Sequence, residues 1–174
     1  HLSIRRQRQM CIRDRDTTAP SLTVSTVRLQ DDTGSSNSDF NTKKAEQTLS
    51  GTLSGALSAG ETVYVQINNG GSWTPASASV GSTSWSLAGV NLSGGSQISI
   101  KVSDVAGNET ATLTQSYVLD TQAPGTTFSA VALSDDTGPG GLSNTDFVTK
   151  SATQTIQATL SAQLGVGAVS YTHL

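Results

Sequence analysis

An internal repeat of domain length is the feature that most constrains this chain. Residues 16–20, Asp-Thr-Thr-Ala-Pro, return at 120–124 as Asp-Thr-Gln-Ala-Pro, and Leu-Gln-Asp-Asp-Thr-Gly at 29–34 returns as Leu-Ser-Asp-Asp-Thr-Gly at 133–138. Both pairs are offset by 104 positions. Solenoid repeats are shorter, at about 20 to 50 residues, whereas a β-sandwich domain has about 100. The repeat therefore predicts whole domains in series.

The second copy follows the first with a small insertion and then stops. After three extra residues, Asp146 and Phe147 correspond to Asp39 and Phe40 at an offset of 107, and Gln154 corresponds to Gln47. We predict one complete unit at residues 16–119 and the truncated start of a second unit at 120–168. Because the second unit lacks a partner sheet, we expect it to be poorly ordered or to add to an exposed edge of the first.

The two ends of the chain are related to each other at the level of DNA. One permitted set of codons for Gln-Met-Cys-Ile-Arg-Asp at 9–14 is the reverse complement of codons for Val-Ser-Tyr-Thr-His-Leu at 169–174. This string resembles an inverted sequencing adapter. We therefore expect residues 1–15 and 169–174 to be translated adapter, and the remainder to be an internal fragment of a larger gene.

The residues between the two adapter-like ends lack the side chains that most catalytic sites need. The single Cys and both His lie at Cys11, His1 and His173. Five basic and twelve acidic residues remain, which gives a net charge of −7. Without His or Cys, neither a nucleophile–His pair nor a zinc site can be built. Glu61 and Glu109 follow turn residues, so a hydrolytic carboxylate pair is not expected either. We predict no enzyme.

Short alternating apolar runs predict an all-β fold. In residues 62–67 the apolar side chains alternate, and the same pattern places Trp85 and Leu87 on one face of a strand at 84–87. A third run has Ile98, Ile100 and Val102 facing inward. About seven such strands without a helical pattern indicate an antiparallel β-sandwich. No run approaches the roughly 20 apolar residues of a membrane helix, so we expect no membrane insertion.

Several motifs, taken in order, resemble the bacterial Ig-like domains of giant repetitive adhesins. They are Asp-Thr-Thr-Ala-Pro at 16–20, Asn-Gly-Gly-Ser-Trp at 69–73, Asp-Val-Ala-Gly-Asn at 104–108 and Tyr-Val-Leu-Asp at 117–120. The resemblance implies an immunoglobulin-like sandwich in tandem repeat, export to the cell surface or a biofilm matrix, and no catalytic residues. It also implies calcium at interdomain linkers.

A spacer role follows from this resemblance. We expect the chain to be a structural and adhesive spacer, extracellular or on the bacterial cell surface. Its partners would be neighbouring Ig-like repeats of the same chain and, through other domains, a host-cell or matrix surface. The basic start of the chain falls in the adapter-like end, so no nucleic-acid partner is expected.

Acidic residues at the domain boundaries suggest where calcium would bind, because hard cations take oxygen ligands. A junction site would pair Asp104 with Asp120, and a second would use the loop after the first strand. That loop is not an EF-hand, because its twelfth position is Thr42 instead of Glu. The alternative is that these residues simply form turns. The candidate calcium ligands are Asp16, Asp104, Asp120, Asp31, Asp32 and Asp39.

Aromatic residues leave a second function open, that of a carbohydrate- or surface-polymer-binding module. Trp85 alternates with Leu87 and is expected in the core. Trp73 follows a turn, where we favour cross-strand packing over sugar stacking. An exposed Trp73 aligned with Tyr64 would favour polymer binding, and burial of both tryptophans would favour the spacer.

Overall fold

A computed structural model describes residues 15–34, 36–68, 70–137 and 145–165. Most of the adapter-like residues, 1–14 and 169–174, lie outside these ranges. Within the described ranges the secondary structure is strand, turn and bend, and none of it is a helix able to cross a membrane. The chain divides into two compact units, His1–Thr121 and Gln122–Leu174, called unit 1 and unit 2 below.

Unit 1 is a β-sandwich, as predicted. One sheet has three antiparallel strands in the order β1-β3-β6. The other has five strands in the order β2-β8-β7-β4-β5. The three-stranded sheet contains β1 (Val24–Leu29), β3 (Glu46–Leu53) and β6 (Ser84–Asn91). The five-stranded sheet contains β2 (Asn41–Thr42), β4 (Thr62–Ile67), β5 (Thr74–Pro75), β7 (Ser96–Ser103) and β8 (Leu113–Leu119).

The core lies between these two sheets and is formed by the alternating side chains. Apolar residues that alternate along a strand share one face, and that face is buried when a second sheet covers it. The predicted inward residues of β7 are all fully buried, and Trp85 of β6 is 2% exposed. Leu87 and Ile67 are only partly buried at the edge of the core. The fully buried large side chains are Leu49, Val63, Val65, Ile98, Ile100 and Val102.

The sequence pattern did not predict two short strands, β2 and β5. β2 and β5 have two residues each, too few to show alternation. β2 pairs with β8 in parallel, through Asn41 opposite Val118, so the expected purely antiparallel arrangement holds for the other pairs of unit 1 only.

Asp104 and Asp120 lie at opposite ends of the sandwich of unit 1. β7 and β8 are antiparallel, with Ser96 opposite Tyr117 and Ile100 opposite Leu113. Asp104 follows the end of β7 and Asp120 follows the end of β8. These two aspartates are therefore separated by the length of the β7–β8 pair.

Unit 2 contains one antiparallel hairpin among its described residues, β9 (Phe128–Leu133) with β10 (Ile156–Leu160). Leu133 is opposite Ile156, as Leu29 is opposite Leu49 in unit 1. Both hairpins also have their irregularity at the equivalent place, one step before the outermost pair. The hairpin of unit 2 thus repeats the β1–β3 pair of unit 1 in register.

Candidate functional site

The acidic loop, residues 30–45 between β1 and β3, is closed by a buried glutamine. Gln47 is 2% exposed. Its Oε1 accepts the amide of Asp31 at 3.0 Å, and its Nε2 donates to the carbonyls of Asp31 and Lys44, both at 3.0 Å. Thr42 Oγ1 also donates to the Asp31 carbonyl at 2.6 Å. One amide side chain therefore satisfies several backbone groups that the loop would otherwise leave unpaired.

Two carboxylates of the acidic loop accept hydrogen bonds from the backbone amides of Phe40 and Asn41, and Phe40 has an unusual backbone conformation. Phe40 has a φ of 60°, a value that side-chain-bearing residues rarely adopt. Its amide donates to Asp32 Oδ2 at 2.9 Å, and Asp39 Oδ1 accepts the amide of Asn41 at 3.0 Å. The hydrogen bond from the Asn41 backbone is the main cause that lowers the pKa of Asp39. The other oxygen of Asp32, Oδ1, is buried and accepts no hydrogen bond from the described residues.

Among its described residues, unit 2 repeats the hydrogen bonds that the glutamine and the aspartates make in this loop. Gln154 Nε2 donates to the Asp135 carbonyl at 3.0 Å and to Thr149 Oγ1 at 3.0 Å. Phe147 has a φ of 64°, and its amide donates to Asp136 Oδ2 at 3.2 Å. The Oδ1 atom of Asp136 is buried without a partner among the described residues, like that of Asp32. The described parts of the two loops thus share the same hydrogen bonds and the same positive φ at the phenylalanine.

Asp104 organises a second loop, at the opposite end of unit 1. Its Oδ1 accepts the amides of Ala106 and Asn108, both at 2.9 Å, and its Oδ2 accepts Asn108 Nδ2 at 2.8 Å. These bonds, the one from the Asn108 side chain first, lower the pKa of Asp104 because they stabilise its charged form. Asn108 Nδ2 also donates to the carbonyl of Asp16 at 3.2 Å.

The predicted calcium ligands therefore fall into two separate groups. Asp16 and Asp104 meet through Asn108 at one end of unit 1. Asp120 lies at the other end, where its amide donates to the carbonyl of Thr42 at 2.9 Å, next to the acidic loop. The structure does not bring Asp104 and Asp120 together within this unit, because the antiparallel register of β7 and β8 separates them.

The fit of these groups to calcium differs between the two ends. Among the described residues, no three or more acidic, His or Cys side chains are grouped so that they could hold a metal ion. Both oxygens of Asp104 already accept hydrogen bonds from its own loop. In the acidic loop, the buried Oδ1 of Asp32 accepts no hydrogen bond from the described residues and is therefore available to a cation. The acidic loop therefore fits a cation better than the Asp104 loop.

A model of the bacterial Ig-like domain family matches residues 18–121, which is more than half of the chain. The chain belongs to the bacterial Ig-like domain family. The family is one of structural domains, and the matched range runs from just before β1 to just after β8. No curated protein matches the chain.

The two tryptophans of this bacterial Ig-like domain have different environments. Trp85 is in the core against Gly51, and its Nε1 donates no hydrogen bond to the described residues. Trp73 is partly exposed, and Lys101 Nζ lies 4.1 Å from its ring centroid. The same ammonium pairs with Glu109 at 2.5 Å. One face of the Trp73 ring is thus covered by a paired cation.

Proposed function

We propose that this chain is a structural spacer of a large bacterial cell-surface or secreted adhesin, built from tandem Ig-like repeats. Its partners are the neighbouring repeats of the same polypeptide, and it works outside the cell, where other domains meet the host-cell or matrix surface. It performs no catalysis of its own.

The observation that carries this proposal is the opposite placement of the two ends of unit 1. The Asp16 carbonyl is held at the end of the Asp104 loop. The Asp120 amide is held at the end of the acidic loop. A domain that enters at one end and leaves at the other adds its full length to an array. The repetition of the β1–β3 hairpin and its acidic loop in unit 2 supports the existence of such an array.

Small-angle X-ray scattering on arrays of one, two and four copies of residues 16–121 tests the spacer role. We expect the maximum dimension to increase linearly with the number of copies, because each copy is a folded body with its own core. An array whose copies fold back on one another would grow much more slowly and would contradict the proposal.

Calcium at the repeat junctions is the second part of the proposal. Acidic side chains lie at both ends of unit 1, and the acidic loop supplies the buried, unpartnered Oδ1 of Asp32, which recurs at Asp136. Burying a carboxylate oxygen without a partner is costly, and a bound cation removes that cost. Calcium would stiffen the junction by holding oxygen ligands of the loop in place.

Titration calorimetry and thermal melts of the chain, in calcium and in chelator, test this second part. We expect heat of calcium binding and a higher Tm in calcium, and Asp32→Asn should reduce both. The matched variant Asp104→Asn should leave calcium binding in place, since the Asp104 oxygens are used within their own loop. Identical melts in calcium and chelator would refute calcium binding while leaving the spacer role untouched.

A polymer-binding role has less support. Tyr64 and Trp73 are both partly exposed, but the Lys101 ammonium covers one face of the Trp73 ring that could otherwise stack on a sugar. Affinity electrophoresis in gels containing bacterial and host polysaccharides would detect such a role as retardation that Trp73→Ala abolishes. We expect no retardation.

A further inference from the structure

One position of the repeat is bound at both ends of the domain. The carbonyl of Asp16 accepts Asn108 Nδ2 at 3.2 Å, at the end of unit 1 where the Asp104 loop lies. Asp120 corresponds to Asp16 in the repeat, since both begin an Asp-Thr-x-Ala-Pro motif and are offset by 104 positions. The amide of Asp120 donates to the carbonyl of Thr42 at 2.9 Å, at the opposite end of unit 1. The same residue of the repeat is therefore bound through its carbonyl where the chain enters a domain and through its amide where the chain leaves one.

Asn108 is held in the orientation that its contact with Asp16 needs. A primary amide nitrogen has two hydrogens to donate. Asn108 Nδ2 donates to Asp104 Oδ2 at 2.8 Å as well as to the Asp16 carbonyl. Asp104 Oδ1 also accepts the backbone amide of Asn108 at 2.9 Å, so one carboxylate holds both the backbone and the side chain of this residue. Asp104 therefore positions Asn108 for the Asp16 carbonyl.

Two hydrogen bonds to one residue leave no room for a linker between domains. The amide nitrogen and the carbonyl oxygen of a residue are joined by three bonds and are at most about 4 Å apart. With hydrogen bonds of 2.9 Å and 3.2 Å on either side, the Thr42 oxygen of one repeat and Asn108 Nδ2 of the next are at most about 10 Å apart when both bonds form. The loop at the exit of one repeat then lies directly against the Asp104 loop at the entry of the next.

We propose that consecutive repeats share one aspartate as their junction. Its amide is held by the Thr42 carbonyl of the preceding repeat, and its carbonyl is held by Asn108 of the following repeat. The acidic-loop end of one domain thus packs on the Asp104 loop of the next. This inference rests on the proposed tandem array, and it names the contact that fixes one repeat against its neighbour. The contact joins neutral groups, so it forms without a cation.

Pulsed electron–electron double resonance on a two-repeat array tests the shared junction. The array has two copies of residues 16–119 in direct succession and ends with Asp120 and Thr121, and each copy has its own core. The sequence of residues 16–121 contains no Cys, so Ser116→Cys in each copy, at an exposed position of β8, provides the two spin labels. We expect one narrow distance distribution centred near the length of one repeat, in chelator as well as in calcium.

The same substitution in either copy separates a junction contact from an effect on the fold. Asn108→Ala in the second copy removes the donor at the junction and should widen the distribution about twofold, because the shared residue regains rotation about its backbone bonds. Asn108→Ala in the first copy disturbs the same loop away from the junction and should leave the width unchanged. An array with Gly-Ser inserted between its copies gives the width of a loosened junction.

The distance distributions distinguish failure of the junction from failure of the array. The shared junction is overturned if Asn108→Ala has the same effect in either copy. A distribution as broad as that of the Gly-Ser array, but centred near one repeat length, would overturn the shared junction alone and leave the spacer role in place. A mean distance much shorter than one repeat would mean that the copies fold back on each other, and it would overturn both proposals.

Discussion

The β1–β3 hairpin of unit 1 and the β9–β10 hairpin of unit 2 have the same register, the same irregularity and the same glutamine-closed loop. The two hairpins differ in whether a second sheet covers their apolar face among the described residues. Leu49 is completely buried beneath the second sheet, whereas Ile156 remains half exposed. Backbone pairing and loop hydrogen bonds are thus specified locally, by each hairpin's own sequence. Burial, and the stability that comes with it, is supplied by strands distant in the chain.

Limited proteolysis should show the largest difference between the two units. An isolated two-stranded hairpin is marginally stable in water, while a covered strand opens only with its whole domain. With proteinase K and mass spectrometry, we expect cleavage within residues 145–165 to be roughly a hundredfold faster than within 46–53. Equal protection of the two hairpins would show that unit 2 is as stable as unit 1.

Truncating the equivalent residues Leu49 and Ile156 should give the next largest difference between the two units. Leu49→Ala removes a fully buried side chain and should lower the free energy of unfolding by about 2–5 kcal/mol. Ile156→Ala should change it by less than about 0.5 kcal/mol, as is usual for exposed positions. Both tryptophans, Trp73 and Trp85, lie in unit 1, so their emission during urea denaturation reports this unit alone. A comparable shift from Ile156→Ala would mean that unit 2 contributes to the core of unit 1.

The loop glutamines allow a finer comparison. Gln47→Ala leaves the amide of Asp31 and the carbonyl of Lys44 without the Gln47 side chain as their partner, and it should destabilise unit 1 by about 1–3 kcal/mol. Gln154→Ala should cost less, because Gln154 is only partly buried and water can replace it. Hydrogen exchange at the Asp31 and Asp135 amides measures both effects. A larger increase in exchange rate at Asp31 on Gln47→Ala than at Asp135 on Gln154→Ala would agree with this order of burial, and the reverse would contradict it.

The smallest effect concerns pH and the Asp104 loop. Hydrogen bonds lower the pKa of Asp104 in the folded state, so its ionised form stabilises the fold above its ordinary pKa of about 3.9. That contribution is lost as the pH falls through the lower, folded-state value. Asp104→Asn should therefore reduce the Tm at pH 7 by a few degrees at most, and the difference from the unaltered chain should shrink in acid. A Tm difference that is constant with pH would rule out ionisation of Asp104 as the cause.

The sequence predicted the parts of this fold that depend on local pattern. Alternation identified β4 and β7 with their buried valines and isoleucines. β2 and β5 were missed because a two-residue strand depends on its neighbours and has no pattern of its own. The bacterial Ig-like family was recognised from motifs in order, and the matching family model confirms it.

The candidate site was harder to predict than the fold. Its aspartates are repeated in the sequence, but which of them lie together depends on the structure. The register of β7 and β8 separates Asp104 from Asp120, and Asn108 links Asp104 to the carbonyl of Asp16. The role of Gln47 went unrecognised, although its recurrence as Gln154 was already visible in the repeat. Turn-forming aspartates that accept backbone amides, such as Asp39, look the same in sequence as aspartates that bind cations.

The short parallel pairing of β2 with β8 has a mechanical consequence. Val118 donates its amide to the carbonyl of Phe40, and Asp120 donates to Thr42, both at 2.9 Å, just where the chain leaves unit 1. When the chain is pulled at its two ends, β8 is drawn along β2 in the direction of the strands, across these hydrogen bonds. The bonds are then loaded together in shear instead of being opened one after another. We therefore expect this pairing of two residues to resist extension at the point where the chain leaves the domain.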